Sequence, residues 1–230
     1  MMYRYEKKFL INNLQMELLK NNLLAALYLD SNIKSEDGSY FIRSMYFDDY
    51  KDTSYFQVLD GISKREKYRI RYYNYDPEYI TLEKKSKVNN LGKKDKDLLT
   101  KDMVMKFINK EEIETDKPVI TELQNKMKTD FYKPVIIIDY LRRAFTYPIN
   151  DVRITIDYNI SCSYEIDKFF DEDINSIPLL DKNTAILEVK YNDFLPDVIK
   201  QIINIKNLEV TSFSKYSVGR SMLEKIERRV

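Results

Sequence analysis

Cations recur two residues apart along this chain, and carboxylates stand among them at the same spacing. In KYRIRYYN (67–74), Lys67, Arg69 and Arg71 alternate with Tyr68, Ile70 and Tyr72. Arg4, Glu6 and Lys8 share one parity in YRYEKKF, and Glu83, Lys85 and Lys87 share one with Thr81 in YITLEKKSK. Glu188 and Lys190 alternate with Leu187 and Val189 in TAILEVKY; Arg153 pairs in parity with Asp157 in VRITID, and Tyr140 with Arg142 in DYLRRAF. A period of two puts side chains on one face of a strand. Each segment therefore offers one apolar face and one face of mixed charge. Taken singly, each reads as an antiparallel strand with its polar face in water. Taken together they ask for more. Residues 64–101 hold twelve Lys or Arg against six Asp or Glu, in a chain whose formal net charge is +1. Like charges across a sheet repel, so such a surface calls for an anionic ligand with several charges. The carboxylates Glu6, Glu83 and Glu188 are hard oxygen donors that suit a divalent metal.

Composition removes many other chemistries. The chain of 230 residues has no histidine, which excludes Ser-His-Asp triads, Cys-His pairs and His-zinc sites. The single cysteine, Cys162, permits no intrachain disulfide and fits a reducing, cytoplasmic setting. A net charge near zero argues against indiscriminate nucleic-acid binding. The N-terminus lacks an apolar signal core, and no apolar run approaches the ~20 residues that span a bilayer.

The elements that must position these residues follow from periodicity. Strands are expected at 3–11, 40–48, 64–75, 78–88, 134–147, 151–158 and 184–191, and helices at 13–28, 99–110, 117–129, 197–207 and 214–229. Residues 50–62 read as loop or short helix, and 169–183 as loop. Turns are expected around Asp76-Pro77, at 88–94 and at Pro148-Ile149-Asn150. No composition break marks a second domain, so residues 1–230 read as a single α+β domain rich in antiparallel strands. Closing about eight such strands gives a barrel whose lumen holds one small ligand. With helices packed outside on the apolar faces, the charged faces point inward. Burying so many cations without a partner would be prohibitive. A water-filled tunnel that takes polyphosphate or a nucleoside triphosphate resolves this.

In order along the chain, YRYEKKF, SMYFDD (44–49), KYRIRYYN, LEKKSK, YLRRAF, VRITID, ILEVKY and SFSKYSVGR resemble the VTC domain, the polyphosphate polymerase domain of the yeast vacuole, and its bacterial stand-alone relatives. These are triphosphate tunnel metalloenzymes, related to the CYTH proteins. The resemblance implies a closed or nearly closed antiparallel β-barrel with outer helices, a C-terminal helix and a basic tunnel that binds ATP, triphosphate and polyphosphate with Mn²⁺ or Mg²⁺. It places Lys8, Arg69, Arg71, Lys85, Arg142, Arg153, Ser214 and Lys215 at phosphate-binding positions. Tyr140 matches a phosphate-contacting tyrosine and Glu188 the metal-binding glutamate. A further tunnel lysine falls at Lys93, Lys94 or Lys96, with Lys94 favoured. Ser212 stands where the yeast enzyme has a basic residue. The inositol-phosphate-sensing SPX domain and the membrane helices of the yeast complex have no counterpart, so a separate membrane protein is a conceivable partner. Where CYTH enzymes begin ExExK, this chain has Arg4-x-Glu6-x-Lys8, one carboxylate fewer, which favours transfer over hydrolysis through a second metal.

Phosphoryl transfer depends mainly on positioning and charge neutralisation. Arginine forks suit bidentate phosphate contacts and lysines act as point charges. Arg69, Arg71, Arg142 and Arg153 are expected on the triphosphate oxygens. Lys8, Lys85, Lys190 and Lys215 add charge, Lys190 being equally readable as the ion-pair partner of Glu188. Ser214 reads either as a phosphate donor or as the cap of the helix that follows. Glu188 holds the metal, with Glu6 or Glu83 either joining it or forming structural ion pairs. The expected activity is an ATP–polyphosphate phosphotransferase that moves the γ-phosphate onto a growing chain. The alternatives are a tunnel triphosphatase acting on triphosphate or ATP, and a non-catalytic polyphosphate-binding module.

Overall fold

Alternation and the Val, Ile and Tyr content make strands wherever the charged pattern recurs. In a computed structural model, which describes residues 4–30, 38–88, 91–204 and 208–227, eleven strands and six α-helices are seen among the described residues. The strands are β1 (Arg4–Asn12), β2 (Tyr28–Leu29), β3 (Tyr40–Asp48), β4 (Arg65–Tyr73), β5 (Asp76–Val88), β6 (Leu91–Leu99), β7 (Lys133–Tyr147), β8 (Val152–Ser163), β9 (Ile177–Pro178), β10 (Thr184–Asn192) and β11 (Glu209–Val210). The helices are α1 (Asn13–Ala26), α2 (Thr53–Leu59), α3 (Lys101–Asn109), α4 (Pro118–Thr129), α5 (Asp197–Ile203) and α6 (Lys215–Glu227). Parts of the expected segments (Tyr3, residues 89–90 of the expected 88–94 turn, residues 205–207, and residues 228–229 of the expected 214–229 helix) lie outside the described residues.

The chain divides into two compact units. The first comprises Met1–Phe41, Tyr140–Ile160 and Leu180–Phe213. Its strands run in the order β11-β1-β10-β8, and the ladders of β10 to β1 and to β8 are antiparallel. The apolar parity of these strands (Ile11, Ile154, Ile156, Leu187, Val189) packs with Leu19, Leu23 and Leu27 of the α1 segment and Ile199 of α5. A capping box opens α1: the Asn12 side chain accepts from Gln15 N, and the Gln15 side chain accepts from Asn12 N, both at 2.9 Å.

The second unit comprises Ile42–Asp139, Ser161–Leu179 and Ser214–Val230. Its order is β3-β4-β5-β6, with antiparallel ladders. Tyr68, Ile70 and Tyr72 of β4 and Ile80 and Leu82 of β5 form a core with Val104 and Phe107 of α3 and with Val119, Ile120 and Leu123 of α4. Helices thus cover the apolar strand faces, as the alternation requires.

Three expectations need correction. The β4–β5 turn is not at Asp76-Pro77 but two residues earlier: Tyr73 pairs with Asp76, and Asn74 and Tyr75 take φ of 50° and 56°, a two-residue hairpin loop of the primed kind. Pro77 sits at the start of β5, before that strand pairs with β6 at Ile80↔Leu99, where its missing N–H costs no ladder bond. Residues 91–99 are a strand, not the end of a turn; GKKDKD hides it because both of its parities are polar. Residues 177–178 form a short strand on β8 inside the expected loop.

Gly219, inside α6, has a packing reason. A Cβ there would lie 2.6 Å from Ile136 Cδ1 and 3.0 Å from Ile138 Cδ1. Gly219→Val is therefore expected to destabilise the protein by about 1–3 kcal/mol through overpacking. Urea unfolding reads this directly, and an unchanged midpoint would contradict it.

Candidate functional site

The polar strand faces are buried in their middle stretches, while Glu6, Lys85 and Lys94 toward the strand ends are exposed. Arg71 is 6% exposed, Glu83 4%, Glu188 8% and Asp157 1%. At these four positions the polar parity does not simply look into water.

In the first unit the ladder sets opposite charges against each other. Lys8 stands opposite Glu188 and Glu6 opposite Lys190; on the other side of β10, Glu188 faces Thr155 and Lys190 faces Arg153. Lys8 Nζ lies 3.2 Å from Glu6 and 3.6 Å from Glu188, and Lys190 Nζ lies 3.8 Å from Glu6 and 2.5 Å from Glu188. Lys8 also donates to the Phe213 carbonyl at 3.2 Å. Burial pushes the Glu188 carboxyl up, but Lys190, Lys8 and Arg142 outweigh it and hold the group well below the usual carboxylate range. Burial likewise opposes the charge on Lys8, and Glu188 and Glu6 reverse the effect, so its ammonium is held more firmly than usual.

Arg142 donates two parallel bonds to Asp157, at 2.6 and 2.8 Å, and its guanidinium lies 5.3 Å from the centre of the Tyr140 ring. Burial disfavours its charge, but Asp157 and Tyr140 keep it protonated. Arg153 donates to Asp30 at 2.8 Å and to Tyr40 Oη at 3.4 Å. Parity alone could not find Asp30, which is 123 residues away.

In the second unit Arg69 donates to Glu83 at 2.6 Å and to Tyr46 Oη at 3.2 Å. Arg71 donates to Ser44 Oγ at 3.0 Å. Of the three lysines considered, Lys94 reaches Glu83 at 2.6 Å, Lys93 pairs with Asp95 and Lys96 donates to Tyr79. Burial would raise the Glu83 pKa, yet Arg69, Arg71 and Lys94 hold it far below the usual range. The register aligns Lys67, Lys85 and Lys94 across three adjacent strands. Directly opposed like charges are unfavourable; in this row Lys94 is offset by Glu83 and Lys67 lies over the Tyr216 ring. Ser214 Oγ accepts from Ser217 N at 3.4 Å and from Ser217 Oγ at 3.1 Å, so it caps α6, whose first residue is Lys215.

The structure therefore gathers Glu6, Lys8, Glu188 and Lys190 in one unit, with Arg142 held on Asp157 and Arg153 on Asp30 beside them on β7 and β8. It gathers Arg69, Arg71, Glu83 and Lys94 in the other. Sequence reasoning missed Ser44 and Tyr46 as partners of these cations; their spacing of two in SMYFDD was the available signal.

Glu6 and Glu188 present ionisable oxygens to the same two lysines. The Thr155 hydroxyl opposite Glu188 is buried and has no hydrogen-bond partner among the described residues. No group of three or more His, Cys, Asp or Glu among the described residues is placed so that it could hold a metal ion by itself. Mg²⁺-type ions are commonly bound by one or two carboxylates together with substrate phosphates, and Glu188 with Glu6 fits that pattern.

The fold is an antiparallel sheet with helices on its apolar faces, and its polar parities carry paired cations and ionised carboxylates. The VTC domain profile matches residues 3–224, and the chain belongs to the VTC domain family. No curated protein matches it by sequence similarity. The fold is similar to that of a Hippeastrum protein assigned as an adenylyl cyclase and described as having a dominant triphosphatase activity, with TM-score 0.54 and 12% identity over 96% of each chain. It is also similar to a Bacillus halodurans protein assigned as an adenylate cyclase, with TM-score 0.50 and 12% identity over 88% of this chain and 90% of that one. No described helix is long and apolar enough to cross a membrane.

Proposed function

We propose that residues 1–230 act as one triphosphate tunnel domain, closing as a barrel with the charged strand faces inward, and that it is a polyphosphate polymerase transferring the ATP γ-phosphate to a growing chain. The observation that carries this reading is the burial of Arg71, and nearly of Arg142, on the same strand faces as the buried, ionised Glu83 and Glu188. Membership of the VTC domain family supports the same chemistry. In this reading Arg69, Arg71, Arg142 and Arg153 orient the triphosphate oxygens, and Lys8, Lys85, Lys94, Lys190 and Lys215 neutralise the chain. Tyr140 and Ser214 add contacts. Glu188 and Glu6 hold Mg²⁺ or Mn²⁺, which when bound would neutralise phosphate charge; Glu83 anchors Arg69 and Lys94. The single buried cysteine supports a cytoplasmic setting. A triphosphatase is the second reading, favoured by the activity described for the Hippeastrum protein.

Calorimetry tests the ligand. Tripolyphosphate and a long chain are expected to bind at least about a hundredfold more tightly than monophosphate, and to lose affinity steeply as salt screens the charges. Equal affinity for all three would overturn the reading.

A further inference from the structure

Two side chains of SMYFDD meet the β4 arginines one for one. Ser44 and Tyr46 stand opposite Arg71 and Arg69 in the β3–β4 register, and each accepts a hydrogen bond from its arginine. Asp48, next on the same parity, accepts from Tyr216 Oη. Tyr46 is 7% exposed, and its ring stacks on Tyr216 with centroids 5.2 Å apart. Arg69 is thus gripped from both neighbouring strands, by Tyr46 on β3 and Glu83 on β5.

We propose, resting on the polyphosphate reading above, that Tyr46 is a positioning residue for the anionic ligand: its hydroxyl fixes the Arg69 guanidinium, and retention of the phenol proton is linked to binding of the anion. The surroundings set the sign. From β4, Arg69 and Arg71 face the phenol, and Arg69 in turn carries Glu83 of β5, which Lys94 of β6 also holds. From α6 come Lys215 and the Tyr216 ring, over which Lys67 lies at 5.1 Å. On β3 itself the flanking groups are Ser44 and Asp48. Burial alone would raise the Tyr46 pKa, but Arg69, Arg71 and Lys215 outweigh it and bring the phenol to about 8. A phenolate there repels an incoming polyanion and occupies Arg69. A bound polyanion favours the neutral phenol, so binding takes up a proton, and affinity falls as pH rises through 8.

The test compares wild type, Tyr46→Phe and Ser44→Ala by tripolyphosphate calorimetry between pH 7 and 9, with phenolate absorbance followed in parallel. Tyr46→Phe keeps the ring stack and loses only the hydroxyl. Relative to Tyr46→Phe, wild type is expected to lose about tenfold in affinity over that range, as proton linkage to one group requires. The titration should show one tyrosine ionising near pH 8, absent in Tyr46→Phe and moved upward by tripolyphosphate. Ser44→Ala, which unbraces Arg71 without removing a titrating group, should bind more weakly but with the wild-type pH slope. Identical slopes in wild type and Tyr46→Phe, with tripolyphosphate bound by both, overturn the role of Tyr46 and leave the ligand assignment standing. Absence of tripolyphosphate binding in all three at every pH overturns the ligand assignment itself, and this inference with it.

Discussion

Replacing Glu188 by Gln is expected to lower turnover with ATP by about 10²–10³-fold, the scale of removing one preorganised charge contact from a transition state, while tripolyphosphate binding without metal persists. The substitution keeps size and hydrogen bonding and removes one negative charge. The fold should survive it, because Glu6 still reaches both Lys8 and Lys190, at 3.2 and 3.8 Å. Two roles for Glu188 then separate. As a mere counter-ion, its loss leaves a more positive surface, and binding and turnover should both hold. As a metal ligand, its loss removes the carboxylate that Lys190, Lys8 and Arg142 keep ionised, and turnover should collapse while polyanion binding stays. Steady-state rates with Mn²⁺, set beside metal-free calorimetry, distinguish the two. Retained Mn²⁺-dependent turnover in a well-folded Glu188→Gln protein would sink the assignment.

The second large effect concerns stability, at a cation that sits on an apolar parity. Arg43 follows the face of Met45 and Phe47 and is 1% exposed. It donates to both carboxylate oxygens of Asp139, between 2.8 and 3.2 Å, to the Phe169 carbonyl at 3.0 Å and to the Asp171 carbonyl. It ties β3 to β7 and to the segment at 169–171. Arg43→Met fills the volume but strands a buried carboxylate, and breaking a buried pair from one side costs about 3–5 kcal/mol. Adding Asp139→Leu should recover only part of the loss, since the Asp171 carbonyl still loses its Arg43 donor, whereas the Phe169 carbonyl keeps Tyr72 Oη at 3.0 Å. Urea unfolding of the single and double variants measures both steps. A single-variant loss below about 1 kcal/mol, the size of an ordinary point substitution, would show that the pair does not pin the fold.

Why the strand positions were legible and their partners were not has a physical cause. Alternation is local, so KYRIRYY and ILEVKY declared both their strands and the two faces of each, and in these two strands the buried charges Arg71 and Glu188 fall on the parity that the pattern marks. The β6 segment escaped because LGKKDKDLL has no apolar parity to betray it; its place is decided by pairing with β5. The hairpin at Asn74-Tyr75 escaped because Asp-Pro is the stronger local turn signal, while the two positive φ angles show only in the folded backbone. Partners across the sheet escaped for a third reason. Asp157 for Arg142 and Tyr46 for Arg69 depend on strand pairing, and Asp30 for Arg153 on where the chain runs after β2; no local period encodes either. Family resemblance supplied the cations one at a time; what holds each of them came from the ladders.

The most direct test of the central claim is a chain-length gel of the products formed from ATP with Mn²⁺. The polymerase reading predicts a ladder of polyphosphate that lengthens with time, matched by ADP and lost in Glu188→Gln. Release of monophosphate alone, with no chain longer than the substrate at any time, would contradict it.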